Sequence, residues 1–126
     1  MVLENNSKNS IALRTGEAKI TFNDSANSGI TRGGEDNIGY LSDGSANNNL
    51  IYNNTANNFK VSGKNAILFA AKDGGTLKVN NSLPLSSTAV SGKGFTLAYS
   101  EGAGSTVTLN QGVTGEVAGS DAVLYY

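Results

Sequence analysis

The sequence predicts an all-β fold, a right-handed parallel β-helix of about four coils of about 28 residues with three short strands in each coil. Three observations predict it. An opening apolar run recurs at Ile11, Ile38, Ile67, Phe95 and Val123, in steps of 27, 29, 28 and 28 residues. A middle run recurs as ITFN, LIYN, LKVN and VTLN, starting at Ile20, Leu50, Leu77 and Val107 and always ending in asparagine: Asn23, Asn53, Asn80 and Asn110. A last run recurs at Ile30, Val61, Val90 and Val117, each followed within a few residues by glycine. The coils therefore divide as 8–34, 35–63, 64–92 and 93–120, with a partial coil at 121–126.

Each element has a physical reason. Ile20-Thr21-Phe22 and Val107-Thr108-Leu109 alternate apolar and polar residues, the pattern of a half-buried strand. Three such strands cannot bury their inner faces alone, but stacking coil on coil at about 4.8 Å pairs them in parallel and aligns like residues. The asparagine column then acts as a ladder. Each amide both donates and accepts, satisfying groups at a corner where Asn and Gly also tolerate left-handed backbone. Parallel crossovers are right-handed, which sets the hand. The aromatics Phe22, Tyr40, Tyr52, Phe69, Phe95 and Tyr99 fall in the apolar columns and are expected in or near the core. A leucine-rich repeat also has a period near 28 and an Asn column, but its L-x-x-L-x-L core is absent.

Composition narrows the function. A net charge of -1 with no basic block argues against nucleic acid as a partner, and no apolar stretch approaches the 18 residues of a membrane span. With no histidine and no cysteine, the Ser-His and Cys-His pairs and thiolate metal sites are excluded. No cofactor is expected. Asp43, Asp73 and Glu101 precede glycines at nearly equivalent corners, which suggests an acidic column about 5 Å from coil to coil. They are the candidate metal ligands, through a shared calcium ion, and the candidate catalytic pair of a glycosidase. Ordinary Asp-Gly turn chemistry is the preferred reading. Lys8, Glu35, Lys64 and Lys93 form a second charged column, read as solvated, with contact to an acidic glycan or partner as the alternative. Thr21, Ile51, Lys78 and Thr108 face outward, and the isoleucine and lysine interrupt the regular threonine plane that an ice-binding surface needs. The polar stretches 43–49 and 53–58 are candidate protruding loops, where recognition often resides.

GKNAILFAAKDGGTLKVNN (63–81) and GKGFTLAYSEGAGSTVTLNQG (92–112) resemble repeats in the passenger domains of type V autotransporter adhesins of the fusobacterial type. In both, glycine and small polar residues lead into an apolar strand, followed by an acid-Gly turn and a strand ending in asparagine. The resemblance covers residues 8–126 and implies a long stalk at the cell surface, secreted or anchored in the outer membrane through a C-terminal β-barrel. The lack of cysteine suits export in an unfolded state. The complete family pattern also has a signal peptide and a barrel, neither of which is among these 126 residues, so a segment of a longer repeat protein is expected. No binding residue of the family can be carried over.

Three functions follow as expectations. The first is a non-catalytic structural and binding segment of an exported surface adhesin, contacting a host or microbial surface protein or glycan. The second is a polysaccharide-cleaving β-helix of the lyase, hydrolase or tailspike kind, and the third an inert spacer. Neither terminus resembles a capping repeat, so open strand edges also predict end-to-end self-association.

Overall fold

The structure is a computed structural model and describes residues 2–5, 7–16, 19–24, 29–44, 49–54, 59–86 and 90–126. The described residues contain strands and turns and no helix. In chain order the strands are β1 (Val2–Asn5), β2 (Ile11–Thr15), β3 (Lys19–Asp24), β4 (Gly29–Arg32), β5 (Ile38–Asp43), β6 (Asn49–Asn54) and β7 (Phe59–Val61). They continue as β8 (Ile67–Lys72), β9 (Thr76–Val79), β10 (Leu83–Leu85), β11 (Thr96–Glu101), β12 (Thr106–Leu109), β13 (Val113–Gly115) and β14 (Val123–Tyr125).

Every sheet takes one strand from each successive repeat, and all pairs are parallel. The largest runs β2-β5-β8-β11-β14, the second β3-β6-β9-β12, and the third β1-β4-β7, which Val90 extends through a bridge to Val61. The middle register agrees with the sequence columns: Ile20, Leu50, Leu77 and Val107 are aligned, as are Thr21, Ile51, Lys78 and Thr108. In β9 the alternation is clean, with Leu77 and Val79 buried and Lys78 exposed.

Three expectations need correction. Thr96, not Phe95, aligns with Ile67 and Val123, while Phe95 lies one residue earlier and is buried. Arg32, not Ile30, aligns with Val61, and Ile30 aligns with Phe59. Each of the four repeats has three strands, but in the third and fourth the third strand is β10 or β13, in a separate two-stranded sheet, rather than a strand at Val90 or Val117. Pro84 lacks an N–H to donate, and this short two-stranded sheet tolerates it where a central strand would not.

Backbone features at the corners account for the register. Asn9, Asp36, Asn65, Gly94 and Asp121 all have positive φ and each stands two residues before the opening strand position. Just ahead of them, Gly34, Gly63, Gly92 and Gly119 form a stack. A Cβ on Gly63 would overlap the carbonyl oxygen of Gly34, one on Gly92 that of Gly63, and one on Gly119 that of Gly92. Glycine is required here by close backbone approach. Two residues before these glycines stand Arg32, Val61, Val90 and Val117.

The apolar core lies between the sheets and is best developed in the middle repeats, which have neighbours on both sides. Leu68, Phe69, Leu77, Val79, Phe95 and Leu97 are each at most 1% exposed. Burial of each such side chain contributes roughly 1.5–3 kcal/mol. Tyr40 stacks on Phe69 with centroids 5.5 Å apart, so both are core residues as expected. The side chains of Phe22 and Tyr52 lie outside the described residues, as do 45–48 and 55–58 of the expected loops. At the far end β14 has a neighbour on one side only, and Leu124, Tyr125 and Tyr126 are exposed.

Candidate functional site

Two corners hold the polar columns that the sequence points to. The first follows the middle strand. Asn110 Nδ2 donates to Asn80 Oδ1 at 2.7 Å, and Asn80 Nδ2 donates to Asn53 Oδ1 at 2.9 Å. Asn23 is in backbone register with Asn53, and its side chain lies outside the described residues. Asn80 and Asn110 thus both donate toward the preceding repeat. This corner is exposed, so each rung contributes the modest net worth of an ordinary hydrogen bond, about 1 kcal/mol.

The second corner follows the opening strand, where the expected acidic column does not form. Asp43 is aligned with Lys72, and Lys72 with Glu101. A cation therefore separates the two carboxylates. Arg14 pairs with Asp43, and Lys72 Nζ lies 3.8 Å from Glu101 Oε2, so signs alternate as Arg14, Asp43, Lys72, Glu101. Asp73 follows Lys72 at a turn with φ of 51°, in the place taken by Gly44 and Gly102 in adjacent repeats. The Asp-Gly dipeptides thus match in sequence but are offset by one residue in space. Asp43 and Glu101 stand two strand spacings apart in register, about 10 Å, rather than the about 5 Å of a retaining glycosidase pair. Among the described residues, no three acidic side chains gather as a metal site would require.

Beside this row, Tyr99 Oη donates to Glu101 Oε2 at 2.9 Å. That bond, with lesser effects of burial and nearby negative charge, raises the phenol above its ordinary value. Lys72 Nζ sits 5.5 Å from the centroid of the Tyr99 ring, and Tyr126 stacks on the same ring at 5.5 Å, nearly parallel. An open cleft of about 270 Å³ lies here, lined by Ala98, Tyr99, Ser100, Val107, Tyr125 and Tyr126. Tyr99, expected in or near the core, instead lies half-buried at the rim of this cleft, because the strand beyond it covers only part of its sheet.

The lysine column is neutralised in part. Lys8 pairs with Glu35 at 3.3 Å and reaches Asp36 at 3.8 Å, while Lys93 lies 3.6 Å from Asp121. Asp36 and Asp121 occupy the left-handed corner, and Asn65 Nδ2 donates to Asp36 Oδ1 at 3.2 Å. Reasoning from the sequence passes over this corner column. Its signal is the pair ending two residues before each opening strand position, KN, ED, KN, KG and SD, which carries Asn, Asp or Gly in the second place every time.

A third polar group, also missed, is buried in the first two repeats. Arg32 and Asn37 are 2% and 0% exposed, and both hydrogen-bond Ser10. Burial lowers the Arg32 guanidinium from its ordinary value. The signal was an arginine standing where later repeats have valine.

No family model, no curated protein and no solved structure matches the chain.

Proposed function

We propose that this chain is a right-handed parallel β-helix and a non-catalytic structural and binding segment of an exported bacterial surface adhesin, contacting a host or microbial surface protein or glycan. The observation that carries the reading is the sheet order, in which each repeat adds one strand in parallel to the strand of the repeat before it. Such a stack lengthens by about 4.8 Å per repeat while each repeat keeps the same strand arrangement. A stalk needs that property. The outward row Thr21, Lys78 and Thr108 is exposed and available to a partner on the side of the stack. Lys72 between Asp43 and Glu101 counts against the polysaccharide-cleaving alternative, because it pairs with the acid that would have to act.

Brief protease treatment of intact source cells, followed by mass spectrometry of released peptides and of their parent, tests the proposal. Peptides of this chain released from a much larger parent support it. Peptides found only after lysis, from a parent of this chain's size, overturn it.

A further inference from the structure

Two buried columns change character along the stack. Arg32 is aligned with Val61, which bridges to Val90. Ser10 and Asn37 precede the aligned Ile11 and Ile38, in the place held by Ala66 and Phe95 before Ile67 and Thr96. The second column is polar in the first two repeats and apolar in the later two, while the first is polar at Arg32 in the first repeat and apolar from the second onward.

The polar residues bond to one another but leave donors over. Arg32 Nη2 donates to Ser10 Oγ. The Ser10 backbone N–H and hydroxyl both donate to Asn37 Oδ1, at 2.8 and 2.9 Å. The acceptor of the Asn37 amide is therefore used, while its donor Nδ2 and Arg32 Nε are both buried with no partner among the described residues. Among the described residues Arg32 makes no ion pair: the cations that do are Lys8, Arg14, Lys72 and Lys93. A guanidinium keeps its proton inside proteins, so this is a buried positive charge with too few acceptors around it. A buried charge is costly unless it is paired. Water would supply an acceptor oxygen but no compensating charge.

We propose that Arg32, Asn37 and Ser10 form a binding site for a small monovalent anion of chloride or nitrate size. Arg32 Nε and Asn37 Nδ2 donate to it, and the guanidinium supplies the opposite charge. Ser10, only partly buried, holds the two donors together and marks the side from which the ion enters. The bound anion joins the first two repeats, since Ser10 belongs to one and Arg32 and Asn37 flank the corner leading into the next.

The test is thermal melting of the whole chain at fixed ionic strength, with sodium chloride or nitrate replacing sodium gluconate, whose anion is too bulky for the site. Raising chloride from 10 to 200 mM is expected to raise the wild-type Tm by about 2–4 °C. The rise should vanish in Arg32→Val, which restores the valine found at the aligned positions. Asn37→Ala, matching Ala66, removes one donor and should weaken the rise while keeping the charge. Broadening of the chloride-35 resonance by the folded protein, lost in Arg32→Val and reduced in Asn37→Ala, reports the ion directly. A wild-type Tm indifferent to the anion, or the same rise in the variants, would overturn the site and leave water as the partner of the two donors.

Discussion

Asn110 donates to Asn80 across 30 residues of sequence at 2.7 Å, and Asn80 passes the same bond on to Asn53. The middle rung makes two bonds and the last rung one. Asn80→Ala should therefore cost about 1–2 kcal/mol and Asn110→Ala about half as much. Urea denaturation of both variants checks the ratio. Equal losses would show that the rungs do not add.

The glycine stack should tolerate nothing larger. Gly63→Ala and Gly92→Ala place a methyl group on a backbone carbonyl oxygen of the preceding repeat, so both should lose about 3 kcal/mol or more. Gly16→Ala, where a Cβ meets nothing within 4 Å, should stay within about 0.5 kcal/mol of wild type. Chemical denaturation of the three together separates close approach from a general glycine effect.

Reversing the charge of Lys72 would create the acidic row that the chain avoids. Lys72→Glu sets three carboxylates in line with Asp43 and Glu101 and should destabilise by about 1 kcal/mol at low salt, much of it recovered in 0.5 M salt. It should also make the melting temperature rise with calcium, a response expected to be absent from the wild type and from Asp43→Asn. A calcium response in the wild type would restore the cation reading of this corner.

Tyr99 should ionise later than a free tyrosine, because its hydroxyl donates to Glu101. A raised phenol favours the folded state while it is protonated. Its contribution is fully present below the ordinary tyrosine pKa near 10 and is lost as pH climbs through the higher folded value. Ultraviolet titration of tyrosinate in wild type, Glu101→Gln and Tyr99→Phe measures this directly. The late-ionising component should disappear in Tyr99→Phe and shift back toward normal in Glu101→Gln.

Much of the architecture was legible in the chain. The repeat, the parallel pairing of like strands, the asparagine rungs from Asn53 to Asn110 and the middle register from Ile20 to Val107 all follow from side-chain chemistry repeating at a near-constant interval. The charged corner was misread because the turn after Lys72 is Asp-Gly-Gly where the others have a shorter signal, so matching the Asp-Gly letters displaced the third repeat by one residue. In a strand, one residue exchanges the side chain in a column for its neighbour and reverses its face.

By itself the sequence determined the period, the strand content and the ladder, since each rests on residue types that must recur for stacked coils to satisfy their corners. Only the tertiary structure decided that Thr96 rather than Phe95, and Arg32 rather than Ile30, enter the columns. It also decided that Lys72 divides the acids. The reason is that register in the first and third sheets is set by a left-handed corner residue and by glycine lying against a carbonyl, contacts of the backbone that hydrophobic patterns do not record.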